Sequence, residues 1–153
     1  MADSIDALLI NPGDRKQIYQ SLGDEFSAIE PPVFAGLFAT FLRQKGHSVS
    51  ILDAPAMMAS AEEVAHIATK DFDAKLIVIV VYGLQPSAST QNMTAAGDIA
   101  RMIKDAGVNT KIMMTGTHPA ALPEKTMESE LVDFVVDMEG PVTIYKVLKV
   151  LLG

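Results

Sequence analysis

Two polar stretches carry most of the hydrogen-bonding chemistry of this sequence: Tyr82-Gly83-Leu84-Gln85-Pro86-Ser87-Ala88-Ser89-Thr90 and Thr115-Gly116-Thr117-His118-Pro119. The hydroxyls of Ser87, Ser89 and Thr90 can donate or accept, and Gly83 and Gly116 let another group approach the backbone closely. A helix that starts near Ser89 or Thr90 adds free N–H groups. Two smaller groups join them, Asn11-Pro12 after the first apolar run and Glu139-Gly140 after the last. Such a set suits a large ligand bearing amides or phosphate. Each residue also has a purely local reading: Ser89 or Thr90 as a helix cap worth about 1 kcal/mol, and the glycines as turns.

Other chemistry has less support. His118 could serve a metal or act as an acid/base group, but it has no acidic residue at ligand spacing, so a structural hydrogen bond is the preferred reading. His47 precedes the second strand and falls on the opposite edge of a parallel sheet, and His66 lies within a helix at a solvated position. Glu124 and Glu139 could form an acid/base pair, yet Glu124 beside Pro123 reads equally as a first-turn helix acid. The sequence holds no G-x-S-x-G elbow, P-loop or G-x-G-x-x-G after the first strand. The chain therefore does not read as an obvious stand-alone enzyme.

Composition narrows the class further. The 153 residues contain no cysteine, which removes disulfides, thiolate nucleophiles, cysteine-bound zinc and a cysteine-held iron–sulfur cluster. Net charge is −7 without a Lys/Arg cluster, against nucleic acid as a partner. No apolar run approaches the roughly 20 residues of a membrane span. Nor does the start carry a basic secretory region, so a cytoplasmic location is expected.

The elements that must position these residues alternate along the chain. Ile5 to Ile10 reads as a strand stopped by Asn11-Pro12-Gly13, followed by a long polar connection over residues 11–30. Val33, Phe34, Leu37, Phe38, Phe41 and Leu42 fall at helical spacing, with Gly46 placed as a C′ glycine. Ser48 to Leu52 is the second strand, and Ser60 with Glu62 and Glu63 opens a helix to about Lys70. Lys75 to Val81 is the third strand, with a helix from Ser89 or Thr90 to near Gly107. Lys111 to Met114 is the fourth, followed by a short helix over Pro123 to Ser129. Val132 to Val136 is the fifth, and Val142 to Leu152 the last helix. Strands as apolar as Leu76 to Val81 need cover on both faces, which alternating helices supply to a parallel sheet. The expected fold is a single α/β domain over 1–153, a three-layer α/β/α sandwich of flavodoxin-like order 2-1-3-4-5. Its ligand edge lies at the strand C-termini.

Several segments together resemble the amino-terminal cobalamin-binding domain of the cobalamin-dependent radical-SAM proteins. They are Leu9-Ile10-Asn11-Pro12, Glu30-Pro31-Pro32, Tyr82 to Thr90, Thr117-His118-Pro119-Ala120-Ala121-Leu122-Pro123-Glu124 and Asp133-Phe134-Val135-Val136. The resemblance spans nearly the whole chain. It implies a corrin held over the loops after strands 1, 3 and 4, with Ser87, Ser89, Thr90 and Gly116 nearest the nucleotide tail. It also implies a radical-SAM barrel domain, in cis or trans, that binds S-adenosylmethionine and a [4Fe–4S] cluster and performs methyl transfer or related chemistry. This chain would be either an excised domain or a stand-alone relative. Where related domains carry D-x-H-x-x-G, this chain has Asn11-Pro12-Gly13-Asp14-Arg15, so no histidine from that loop would ligate cobalt. Thr115-Gly116 stands where the family has two glycines, and Met138-Glu139-Gly140 where it has G-E-G. The alternatives are a flavodoxin-like binder or enzyme for a phosphorylated or flavin ligand, and an interaction domain whose ligand site has decayed.

Overall fold

The computed structural model describes residues 1–13, 30–83, 86–138 and 140–153. The five strands are β1 (Asp3–Asn11), β2 (Val49–Asp53), β3 (Phe72–Val81), β4 (Lys111–Gly116) and β5 (Phe134–Val135). They form one parallel sheet in the order β2-β1-β3-β4-β5, as the sequence reading expected. The helices are α1 (Val33–Gln44), α2 (Ala54–Met57), α3 (Ala61–Lys70), α4 (Pro86–Asp105), α5 (Thr117–Ala121), α6 (Pro123–Ser129) and α7 (Gly140–Leu152).

Strand alternation sorts the core into two layers. Ile77, Ile79 and Val81 of β3 join Leu8 and Ile10 of β1 on the face covered by α3 and α4. Leu76, Val78 and Val80 join Ala7 and Leu9 on the face covered by α1 and α7. Every residue from Leu76 to Val81 is buried, because consecutive side chains meet opposite helical layers.

Local signals set several boundaries. Gly46, at φ +90°, ends α1 in a Schellman turn: its N–H donates to Arg43 O at 3.0 Å, and His47 N–H donates to Leu42 O at 3.2 Å. Ser60 and Glu63 close a reciprocal capping box at the start of α3, with bonds of 2.8 and 3.2 Å.

Other boundaries differ from expectation. β3 starts at Phe72 rather than Lys75, because Phe72, Asp73 and Ala74 pair with Asp3, Ser4 and Ile5. β4 runs two residues past Met114, since Thr115 and Gly116 continue the ladder opposite Val80 and Val81. The helix after β3 begins at Pro86, which makes Ser89 and Thr90 its fourth and fifth residues instead of its cap. The last helix begins at Gly140 rather than Val142, and β5 is two residues long rather than five. The short α2 and α5 were not expected from periodicity, being too short to show one. Residues 14–29 of the long polar connection lie outside the described residues. No helix among the described residues is long and apolar enough to cross a membrane.

Candidate functional site

Strands β3 and β4 end side by side, with Val81 opposite Gly116, and this pairing builds the centre of the C-terminal edge. After Val81 the chain turns through Tyr82 and Gly83 and returns as α4, which lies so close that a Cβ on Gly83 would collide with the Ala88 methyl. The return carries Ser89 beneath the strand end, fully buried. Its hydroxyl donates to Val81 O at 2.5 Å and accepts from His118 N–H at 3.0 Å. One residue on, Thr90 Oγ1 lies 3.0 Å from His118 Nδ1. These bonds tie the loop after β3 to the turn after β4.

Gly116 permits that juxtaposition. A Cβ there would collide with the Val81 carbonyl oxygen and lie 2.7 Å from its carbon, so no side chain fits while β3 and β4 stay paired. Gly83 and Gly116 therefore serve the close packing of the protein's own segments. Exposed on the same edge are Ser87, Thr90 and Thr117, with His118 partly buried between the two turns.

Tyr82 turns its ring into the helical layer. It stacks on Phe34 with centroids 4.2 Å apart and an 18° interplanar angle, and meets Phe38 edge-on at 5.9 Å. Asn92, one turn beyond Ser89, reaches back to Tyr82 O at 3.4 Å. Thr115, at the end of β4, is 1% exposed, and its Oγ1 has no hydrogen-bond partner. Gly140, the first residue of α7, packs against it: a Cβ on Gly140 would stand 2.8 Å from the Phe38 ring and 3.2 Å from Thr115 Oγ1.

The end of β1 contributes a separate cluster. Asn11 Nδ2 donates to Asp53 Oδ1 at 2.8 Å, joining β1 to β2. Pro12 and Gly13 are buried, and Gly13 lies against Pro55 of α2. Of the expected site residues, Ser89, Thr90 and His118 thus form one bonded group, with Gly116, Ser87 and Thr117 beside it. Tyr82, Thr115 and Gly140 gather on the α1/α7 side, and Asn11 and Pro12 on the β2 side. Gln85 and Glu139 lie outside the described residues. Sequence reasoning missed Asn92 and the Phe34–Phe38 pair. The spacing of Asn92 from Ser89 placed it on the same helix face, and Phe34 and Phe38 are four apart on theirs.

The remaining histidines stand away from this edge. His47 Nδ1 lies 3.1 Å from Asp6 Oδ2, and its ring packs against Tyr145 at 5.7 Å. His66 is exposed on α3, beside a groove of about 480 Å³ lined also by Met57, Met58 and Glu62. None of the expected site residues borders that groove. The carboxylates with displaced titration are also remote. Burial raises Asp133, but bonds from Lys104, the Ile112 N–H and Lys111 outweigh it and hold the carboxyl below its ordinary range. Burial, reinforced by Asp98, raises Glu130, which fits against Gly97 where a Cβ would collide with it.

Residues 20–148 match the family model of the B12 binding domain. A protein named as an uncharacterized methyltransferase of Pyrococcus horikoshii is 29% identical over 145 residues, covering 94% of this chain and 29% of the relative. Among solved structures, the radical S-adenosylmethionine methyltransferase TsrM from Kitasatospora setae, with cobalamin and a [4Fe-4S] cluster bound, superimposes with a TM-score of 0.73. That match has 15% identity and covers 99% of this chain and 25% of that one. Lysine decarboxylase A from Pseudomonas aeruginosa shares the fold with a TM-score of 0.51 at 15% identity, over 96% of this chain and 18% of that one. The chain thus spans less than a third of each of these proteins.

Proposed function

Because this chain belongs to the B12-binding domain family, we propose that it holds cobalamin over the C-terminal edge of its sheet and presents it to a radical-SAM domain in cis or in trans. The observation that carries this reading is the set of neutral hydrogen-bonding groups on one edge. Ser87, Thr90 and Thr117 are exposed there, His118 stands between them, and Thr115 keeps an unpaired hydroxyl just inside. Hydroxyls and an imidazole suit the amide arms and phosphodiester of a corrinoid, which offer many donors and acceptors around one large face.

In this reading Thr90, Thr117 and His118 meet the ligand after β3 and β4, and Asn11 and Pro12 border it after β1. Ser89 acts as a positioning residue, since its hydroxyl is engaged on both sides within the protein. Tyr82, Phe34 and Phe38 keep water from the end of β3. No histidine of Asn11-Pro12-Gly13 is available to cobalt. His47 is paired with Asp6 at the opposite edge, so the corrinoid would bind without an axial histidine from the loop after β1. Bound cobalamin would supply a cobalt able to carry a methyl group.

Support for the partner comes from the methyltransferase relative, of which this chain spans 29%. A cysteine-free chain leaves the cysteines of a [4Fe–4S] site to that partner domain. The test is to mix the purified chain with hydroxocobalamin, pass it through gel filtration and record the visible spectrum. A co-eluting corrinoid with a base-off spectrum is expected. A protein peak free of corrinoid absorbance would sink the reading.

A further inference from the structure

Thr115 is the one buried side chain among the described residues whose polar atom lacks a partner. The other buried polar side chains are satisfied: Ser89 by Val81 O and His118 N–H, and Thr126 by Leu122 O at 2.8 Å. Strand alternation puts Thr115 on the same face as Met113, toward α1 and α7, where the surrounding core of Phe38, Val80 and Leu148 is apolar. Leaving a hydroxyl unpaired in such a place costs about 1–3 kcal/mol, and valine would fill the same volume without that penalty. The position nevertheless holds threonine, one residue from the edge where the sheet ends.

The neighbouring position is kept clear. Gly140 has no side chain, and a Cβ there would press on both the Phe38 ring and Thr115 Oγ1. The hydroxyl therefore lies close to the Phe38 ring and to a glycine at the start of α7, and Phe38 in turn meets Tyr82, which stacks on Phe34. Pairing the hydroxyl with an incoming acceptor removes that penalty of about 1–3 kcal/mol, which favours an acceptor that reaches it beside Gly140.

We propose that Thr115 is a specificity-determining residue, whose hydroxyl donates to a carbonyl or phosphate oxygen of the corrinoid entering between the end of β4 and the start of α7. This rests on the corrinoid reading and assigns one contact within it. The oxygen belongs either to an amide arm of the ring or to the nucleotide tail, and both present the same acceptor chemistry.

The test compares wild type, Thr115→Val and Thr115→Ser by thermal unfolding of the free proteins and by absorbance titration with hydroxocobalamin and with cobinamide, which lacks the nucleotide. Free Thr115→Val should unfold at the wild-type temperature or above it, yet bind hydroxocobalamin about tenfold more weakly. Thr115→Ser should bind as wild type does. A matching loss with cobinamide assigns the acceptor to a ring amide, and an affinity for cobinamide equal to wild type assigns it to the nucleotide. Unchanged binding of both corrinoids by the valine variant overturns the proposal, as does a lower unfolding temperature of that variant, which would mean the hydroxyl is already paired inside the protein. Wild-type protein that binds neither corrinoid overturns the functional reading itself, and this contact with it.

Discussion

The Ser89 hydroxyl and the His118 backbone nitrogen lie 3.0 Å apart, although 29 residues separate them in sequence. That oxygen accepts from His118 N–H, and its own O–H donates to Val81 O at the end of β3. One small side chain thereby satisfies two backbone groups from neighbouring strand ends and fixes the spacing of the turns that carry Thr90, Thr117 and His118. Replacing Ser89 with alanine should leave both groups unpaired and lower stability by about 1–3 kcal/mol. Urea unfolding measures the loss, and corrinoid affinity should fall with it as the two turns separate.

Gly116→Ala places a methyl against the Val81 carbonyl, which is fixed by the β3–β4 ladder. The expected penalty is about 1–3 kcal/mol even without ligand. A shifted urea midpoint of the free protein checks it. An unshifted midpoint with weakened corrinoid binding would instead mean that the glycine serves the ligand alone.

His47→Ala removes a partly buried contact to Asp6 and a ring contact to Tyr145, both remote from the C-terminal edge. Stability should drop by about 1–3 kcal/mol through lost packing and the lost hydrogen bond, while hydroxocobalamin co-elution by the folded variant remains at the wild-type level. Loss of co-elution by a folded variant would place a ligand contact on the wrong edge for the proposed site.

Asp133 receives Lys104 Nζ at 2.6 Å, Ile112 N–H at 2.8 Å and Lys111 Nζ at 3.0 Å. Because its folded-state pKa is lowered, its stabilisation is present above the ordinary carboxylate range and is lost as pH falls through the folded value. Asp133→Asn should destabilise the protein at neutral pH by on the order of 1 kcal/mol. It should also flatten the stability loss below about pH 4, read from unfolding midpoints across an acid series.

Glu130 has the opposite sign. Burial and then Asp98 raise its pKa, so the folded state binds its proton more tightly and stability declines as pH rises from the ordinary carboxylate value through the raised one. Glu130→Gln should remove that decline and match or exceed wild-type stability at neutral pH. A decline retained in the glutamine variant would show that another group causes it.

Much of the frame was legible along the chain. The six buried residues from Leu76 to Val81 announced a strand covered on both faces, and Gly46 and Ser60 marked helix ends through short-range hydrogen bonds. The C-terminal edge was legible as a place, because parallel strands must all end there. The roles of single residues were less so. By spacing Ser89 reads as a helix cap, but α4 starts three residues earlier; Thr115 and Gly116 read as loop, but they extend β4.

Sequence alone determined the alternation of strands and helices, the parallel five-stranded order and the edge where polar residues collect. The alternation follows from side-chain periodicity that acts within a few residues, and the order from the topology that five parallel strands with right-handed crossovers favour. Tertiary structure decided which side chains on that edge are already engaged and which remain unpaired. Ser89 points inward to bind two backbones, Tyr82 folds onto Phe34, and Thr115 is left without a partner. Hydrogen bonding depends on direction and on distances within a few tenths of an ångström. For residues far apart in sequence, those quantities are set by the register of β3 against β4 and the packing of α1 and α7.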